Sequence, residues 1–238
     1  MRIADLENTE TQSRRRPVIP HSAFRIPHTL NAIVDVEAAA RAGWRPMDVA
    51  RAFLSGGARF LQLRAKSLAS GAFLDLAREM AEAAGSAGAT LVINDRADIA
   101  RLAGAHGVHV GQDDLAPRDV RVVAGAAMIV GLSTHTTAQV DSAVRQPIDY
   151  VAVGPVFGTT TKATGYDTVG LGLVREAAAR AAAADKPLVA IGGITLQNAS
   201  SVVAAGAASV AVIGDLLSTG NLEGRVREFL QVLGETPL

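Results

Sequence analysis

Two aspartates, Asp95 and Asp114, stand just after two short apolar segments of the chain. The segments, residues 90–94 and 107–110, are typical of strands, and residues 97–102 between them have the apolar spacing of a short helix. Parallel strands joined by a right-handed crossover bring their carboxyl ends to one edge of a sheet. We therefore expect the two carboxylates to face one another across a small gap.

A pair of neighbouring carboxylates can serve two purposes. It suits a hard divalent cation such as magnesium, which keeps several waters and usually shares its shell with substrate phosphates. Asp is also a favoured N-cap residue, so Asp95 and Asp114 could instead cap the helices that follow their strands. Spacing alone leaves both interpretations open.

Three cations, Arg64, Lys66 and Lys162, follow other apolar segments and are expected at the same edge. A lone lysine is usually a solvated surface residue. Three cations beside two acids instead indicate a site where magnesium neutralises part of a polyphosphate while Arg and Lys hold the rest. The other polar candidates at strand ends are Gln62, Asn94, His109, Ser133, His135, Thr159, Thr160 and Thr161, of which His109 could equally be a neutral core histidine bonded to backbone.

The chain contains about eight units in which a short apolar strand is followed by a helix. Strands this apolar are buried on both faces, as in a parallel sheet. The predicted fold class is therefore α/β, as a single (β/α)8 TIM barrel, whose usual size matches the 238 residues. An open doubly wound sheet is the alternative, but no dinucleotide-type glycine fingerprint follows the first strand.

The elements behind this prediction have approximate bounds. Strands are predicted over residues 29–35, 60–64, 90–94, 107–110, 128–132, 149–153, 187–191 and 209–213. Helices are predicted over residues 46–54, 73–84, 97–102, 118–123, 137–144, 171–184, 197–204 and 222–233, with Thr136 and Thr195 as caps. In such a barrel the active site lies at the carboxyl ends of the strands, where the candidates above fall.

Glycines follow the last two predicted strands, at Gly192, Gly193 and Gly214. This is the usual place for a phosphate in a TIM barrel, because open backbone N–H groups can approach the anion closely. Tight turns that need a positive φ would also explain these glycines. With the carboxylate–cation cluster, the glycines suggest two anionic sites, as in an enzyme that joins a pyrophosphate-activated group to a phosphorylated acceptor.

Composition narrows the possible partners and location. Basic and acidic residues number 23 each, so the zero formal net charge gives no sign of a nucleic acid or membrane partner. The chain has no cysteine and no apolar run that could span a bilayer, so we expect a cytoplasmic protein. We expect it to act on small molecules, and a homo-oligomer is a possible assembly. Residues 1–27 are polar and rich in Arg and Pro, and we predict a loosely ordered extension before a barrel domain over residues 28–238.

The motifs together resemble the thiamine-phosphate synthase family, in order and over roughly residues 29–234. They are QLRAK at 62–66, INDR at 93–96, GVHVGQDD at 107–114, GLS at 131–133, GPVF at 154–157 running on to TTTK at 159–162, and IGGI at 191–194. The resemblance implies a TIM barrel and a magnesium-dependent, dissociative alkyl transfer. A pyrimidine pyrophosphate would be the donor and a thiazole phosphate the acceptor, with thiamine phosphate and pyrophosphate as products.

The resemblance also implies roles for residues that match the motifs. Asp95 and Asp114 would hold magnesium, and His109 would line the pyrimidine pocket. The pyrimidine pyrophosphate would be bound by Gln62, Leu63, Arg64, Ala65, Lys66, Asn94, Ser133 and Lys162, of which Arg64, Lys66, Ser133 and Lys162 would be catalytic. The thiazole phosphate would be held by Thr159, Thr160, Thr161, Gly193, Ile213 and Gly214.

The chain departs from the family pattern at two of these places. Gly214 stands where the family often has Ser, and Asn31 replaces the usual Tyr of the first strand. Two other functions stay open as alternatives. One is the thiazole tautomerase of the same superfamily, which usually lacks the pattern seen at His109 and Asp114. The other is a non-catalytic barrel that binds a phosphate ligand without turnover.

Overall fold

Eight parallel strands close into a barrel in the computed structural model, which describes Ile26 and residues 29–159 and 165–235. The strands pair in sequence order, and the first strand pairs with the eighth. They are β1 Leu30–Asp35, β2 Phe60–Arg64, β3 Thr90–Asn94, β4 Gly107–Val110, β5 Ile129–Thr134, β6 Tyr150–Val153, β7 Leu188–Ile191 and β8 Ser209–Val212. The predicted TIM barrel is therefore confirmed.

Helices surround the barrel, as expected for strands that are buried on both faces. They are α1 Val36–Arg41, α2 Pro46–Ser55, α3 Ser70–Ser86, α4 Ala97–Ala103, α5 Pro117–Ala124, α6 Thr137–Ala143, α7 Gly170–Ala183, α8 Ala199–Ala204 and α9 Leu222–Val232, with a 3₁₀ turn at Asp215–Leu217. Aliphatic residues such as Leu63, Ile93 and Val151 fill the layer between barrel and helices. This layer is the main core.

Strand register decides which side chains share the barrel interior. Asp35 pairs with Arg64, and Asn94 pairs with His109, so each pair projects from neighbouring strands at the same level. Alternate residues along a strand point to the same face. A second apolar cluster inside the barrel, which includes Ile33, Phe60 and Tyr150, therefore lies beneath the polar side chains of the strand ends.

Several predicted boundaries needed correction. Helix α1 was not predicted, because its six residues are too few to show a period. Strand β5 extends to Thr134, so Ser133 lies within the strand. Thr136 does cap α6, but Thr195 does not cap α8; the N-cap position is Asn198, whose side chain accepts from the Thr195 N–H instead.

The two chain ends lie mostly outside the described residues. The predicted extension over residues 1–27 falls there, apart from Ile26, which packs against the cluster inside the barrel. Among the residues that the structure describes, no helix is both long and apolar enough to cross a membrane.

Candidate active site

A cavity of about 340 Å³ opens at the carboxyl ends of the strands. Its wall combines side chains from the first five strands with backbone from the loops after the last three. The predicted residues that line it are Gln62, Arg64, Asn94, His109, Ser133, His135, Thr159, Gly192, Gly193, Ile213 and Gly214. The barrel thus brings together residues that lie more than 150 positions apart in the chain.

The carboxyl groups of Asp95 and Asp114 lie close enough to one another, beside this cavity, to shift each other's pKa, which confirms that the two groups meet. Asp95 follows Asn94 with a φ of 64°, and its N–H donates to the carbonyl of His109 at 2.7 Å. Asp114 accepts from the N–H of Gly111 at 2.7 Å. Neither residue caps a helix, since the N-cap residues are Arg96 and Ala116, so the capping interpretation is wrong.

The two carboxyl groups hold protons differently. Burial raises the pKa of Asp95, and the neighbouring Asp114 raises it further against the opposing effect of Lys66. Burial acts on Asp114 in the same direction, but hydrogen bonds from Asp95 and from the N–H of Gly111 bring its pKa below the ordinary value. Of the two groups, Asp95 therefore keeps its proton to the higher pH. A cation at this position would compete with that proton.

The two carboxylates of Asp95 and Asp114 suit an open magnesium site better than a site in which the protein supplies every ligand. Two carboxylates and substrate phosphates, with water completing the shell, form the usual environment of magnesium. Within residues 29–159 and 165–235, His, Cys, Asp and Glu form no cluster of three or more that could hold a metal. Lys66 forms an ion pair with Asp95 and is about half exposed, so its ammonium group can move toward an anion.

Arg64 is held at the cavity by an acid that the sequence interpretation missed. Asp35, at the end of β1 and 2% exposed, accepts from Nη1 of Arg64 at 2.5 Å. Its other oxygen accepts from the N–H of Ala38 at 2.7 Å and so caps α1. Glu37 lies 3.8 Å from Arg64 and accepts from the backbone and hydroxyl of Ser67. The sequence signal that could have revealed this pair is an acidic residue, Asp35, at the end of the first predicted strand.

His109 is both a buried residue and part of the cavity wall. Its Nδ1 lies 2.9 Å from the hydroxyl of Tyr150, and its Nε2 lies 2.8 Å from the hydroxyl of Ser133. Burial raises the pKa of Tyr150, so its hydroxyl keeps its proton. The Tyr150 ring occupies space left by Gly131, where an added Cβ would lie 2.0 Å from the ring. Sequence analysis missed Tyr150, because an aromatic inside a strand is usually core.

The glycine loop after β7 has the positive φ values offered as one explanation for it, and phosphate binding there stays a prediction. Gly192 and Gly193 have φ values of 101° and 62°, which favour glycine. A Cβ on Gly193 would also lie 2.4 Å from the carbonyl oxygen of Gly158, so the backbones pack closely. The side chain of Asn198 fixes the loop, accepting from Thr195 and donating to the carbonyl of Gly193 at 3.1 Å.

The remaining predicted residues have varied placements. Leu63 and Ala65 are buried in the layer between barrel and helices, so only their backbone could contact a ligand. Thr160, Thr161 and Lys162 lie outside the described residues. His135 stacks on Tyr166 with ring centroids 3.6 Å apart, and its Nδ1 donates to the carbonyl of Gly154 at 2.6 Å.

Comparison with known proteins gives consistent matches over the barrel. The profile of the family described as thiamine monophosphate synthase matches residues 30–216. A protein named thiamine-phosphate synthase from Koribacter versatilis is 47% identical over 184 residues, covering 77% of this chain and 84% of that protein. A protein of the same name from Roseiflexus castenholzii is 40% identical over 189 residues, covering 79% and 82% of the two chains.

A solved structure is similar over the same region. Thiamine phosphate pyrophosphorylase from Pyrococcus furiosus superposes with a TM-score of 0.77 at 24% identity. The match covers 87% of this chain and 95% of that one. At this identity the likeness bears on the fold alone.

Proposed function

The chain belongs to the thiamine monophosphate synthase family, a family of transferases, and on that premise we propose that it is a thiamine-phosphate synthase. The proposed donor is 4-amino-2-methyl-5-hydroxymethylpyrimidine pyrophosphate, and the proposed acceptor is 4-methyl-5-(2-hydroxyethyl)thiazole phosphate. The products would be thiamine phosphate and pyrophosphate.

The observation that carries the proposal is that one cavity has two different sides suited to anions. On one side Arg64, fixed by Asp35, ends β2, and the neighbouring β3 leads into Asp95, which meets Asp114 and Lys66. On the other side the glycines after β7 and β8 expose backbone at the cavity wall. A donor with a pyrophosphate and an acceptor with a phosphate need two such sides.

The donor side would stabilise the leaving group. Arg64 and Lys66 would hold the pyrophosphate oxygens, and Lys162 would join them from outside the described residues. Magnesium, bound by Asp95 and Asp114, would neutralise part of the charge that develops on pyrophosphate. Gln62 and Asn94, both in the cavity wall, offer amide groups to the pyrimidine or its pyrophosphate.

The bond changes of the proposed reaction require little acid–base catalysis by the protein. The carbon–oxygen bond to pyrophosphate breaks first, and its electron pair leaves with pyrophosphate. The lone pair of the thiazole nitrogen then forms the new carbon–nitrogen bond to the pyrimidine-methyl cation. Ser133, whose hydroxyl lies 2.8 Å from Nε2 of His109, would orient the pyrimidine for this step.

The acceptor side would bind the thiazole phosphate. Gly193 and Gly214 carry no side chain that blocks their N–H groups, and Thr159 and Ile213 line the same part of the cavity. The Ser hydroxyl that the family often has at position 214 is missing, so backbone contacts would carry more of the binding. Thr160 and Thr161 are proposed to contribute from outside the described residues.

Two alternatives make different demands on these residues. A thiazole tautomerase would have no leaving group for Arg64 and Lys66 to hold. A non-catalytic phosphate-binding barrel would need neither the carboxylate pair nor its cations. The meeting of Asp95, Asp114 and Lys66 at the same mouth as Arg64 favours the synthase.

A product assay tests the proposal. Purified protein is mixed with the pyrimidine pyrophosphate and the thiazole phosphate, with magnesium or with EDTA, and thiamine phosphate is measured by chromatography. We expect product with magnesium and little with EDTA. A parallel mixture supplies the non-aromatic tautomer of the thiazole phosphate instead. Its conversion to the aromatic thiazole, without thiamine phosphate in the first mixture, would assign the tautomerase, and binding of the ligands without any conversion would assign the non-catalytic barrel.

A further inference from the structure

An acid lies in the part of the cavity wall that we assign to the acceptor's phosphate. Asp215 follows Gly214 at the start of the 3₁₀ turn and lines the cavity together with Gly193 and Gly214. Like charges repel, most strongly where water is partly excluded. An uncompensated carboxylate at this position would weaken binding of a phosphate.

The Asp215 carboxylate also joins two loops of the mouth. Its Oδ2 accepts from the backbone N–H of Leu196, in the loop after β7, at 3.1 Å. Asp215 itself belongs to the loop after β8, so this bond fixes one phosphate-binding loop against the other. A shift of either loop would displace the N–H groups that the phosphate needs.

Arg225, on α9, compensates the charge of Asp215. Its Nη2 lies 2.7 Å from Oδ2 of Asp215, and the two side chains are 12% and 14% exposed. Its guanidinium also bonds Glu228 at 2.9 Å and lies 5.7 Å from the ring centre of Phe229. An arginine stays charged at any working pH, so the positive side of the pair is permanent. Arg225 is absent from the cavity wall.

We propose that Arg225 is a positioning residue for the acceptor's phosphate, acting through Asp215. It neutralises the carboxylate and holds it where it fixes the loop at Leu196, so that the glycine backbone can receive a phosphate dianion. The inference rests on the proposed function, because it takes the glycine side of the cavity as the thiazole phosphate site. It adds a residue on the outer helix layer to the determinants of acceptor binding.

The test is Arg225→Met, which keeps a long apolar side chain over Phe229 but removes the charge. The KM for thiazole phosphate should rise about tenfold, since an unpaired like charge beside an anion opposes binding. The KM for the pyrimidine pyrophosphate and kcat should each stay within about twofold. A general loss of structure would instead move both KM values.

A charge-rescue variant separates electrostatics from packing. Asp215→Asn keeps an oxygen acceptor for Leu196 but carries no charge, so the double variant Arg225→Met with Asp215→Asn should return the acceptor's KM to within about threefold of the unmodified value. Arg225→Lys, which keeps the charge, should also stay close to it. Arg227→Met is the matched control, because Arg227 lies on the same helix and pairs with the exposed Glu223.

Binding of inorganic phosphate, measured by calorimetry with magnesium pyrophosphate added to fill the donor side, reads the acceptor side without turnover. We expect weaker binding in Arg225→Met and recovery in the double variant. Equal rises in both KM values, no recovery in the double variant, or unchanged phosphate binding would overturn the inference. An unmodified protein that makes no thiamine phosphate would overturn the proposed function, while the phosphate titration would still decide the role of Arg225.

Discussion

The hydroxyl of Tyr150 lies 2.9 Å from Nδ1 of His109, and the two rings stack with 23° between their planes. Tyr150 comes from β6 and His109 from β4, and the other nitrogen of His109 holds Ser133 on β5. A fully buried phenol therefore fixes two side chains of the cavity wall from below. This chain of contacts links the interior packing to the site.

Removing the Tyr150 hydroxyl tests that link. Tyr150→Phe keeps the edge-on ring contact with Phe60 but leaves a buried nitrogen of His109 with one partner fewer. We expect a loss of about 1–3 kcal/mol in the free energy of unfolding. We also expect kcat/KM for the pyrimidine substrate to fall roughly tenfold, because His109, the partner of Ser133, loses the hydroxyl that fixes its ring. Denaturant unfolding and steady-state kinetics measure both; unchanged kinetics would contradict the positioning role.

Gly131 provides the space for the Tyr150 ring. Gly131→Ala would place a Cβ 2.0 Å from that ring, so overpacking should cost about 1–3 kcal/mol or more and reduce activity. Gly85→Ala is the control, because a Cβ at this position inside α3 meets nothing within 4 Å. The control should gain about 0.5–1 kcal/mol from helix propensity. Urea denaturation of the two variants should give changes of opposite sign.

Asp35 and Arg64 form a partly buried ion pair at the mouth. Asp35→Asn should keep the cap of α1, since Asn caps as well as Asp, but it leaves Arg64 without its close carboxylate. Breaking such a pair lowers the free energy of unfolding by about 3–5 kcal/mol. The KM for the pyrimidine pyrophosphate should also rise, because Arg64 loses its orientation. Asp48→Asn, which breaks an exposed pair with Arg45, should change neither the unfolding free energy measured by denaturant nor this KM. Equal effects of the two variants would refute a special role for Asp35.

The raised pKa of Asp95 predicts a pH dependence of magnesium binding. Burial and the neighbouring Asp114 raise this pKa, so Asp95 keeps its proton to a higher pH than an ordinary aspartate. A cation competes with that proton, and magnesium affinity should therefore rise as pH increases through the raised pKa and fall below it. Thermal shift titrations with magnesium at a series of pH values, from the ordinary pKa of aspartate up to neutral pH, measure this. A magnesium affinity that stays the same across the series would contradict competition between the proton and the cation.

The apolar strands could be predicted from sequence because each is short, uniformly buried and followed by polar residues. The meeting of Asp95 and Asp114 followed from strand order alone. Side-chain pairs between strands were harder: Asp35 and Arg64 lie 29 residues apart, and His109 and Tyr150 lie 41 apart. Such pairs depend on register, which a single sequence leaves unfixed. The cap expected at Thr195 was wrong because α8 begins only at Ala199, after Asn198 at the N-cap position.

Magnesium dependence in carboxylate variants decides whether Asp95 and Asp114 hold the ion proposed to stabilise the leaving pyrophosphate. Thiamine phosphate formation is titrated with magnesium in the unmodified protein, Asp95→Asn, Asp114→Asn and the neighbouring control Asp113→Asn. Metal stabilisation of a leaving group is worth several kcal/mol, so the first two variants should lose at least about a hundredfold in rate. The control should keep its rate. If Asp95→Asn and Asp114→Asn instead keep the same magnesium-dependent rate as Asp113→Asn, the two aspartates do not hold the ion.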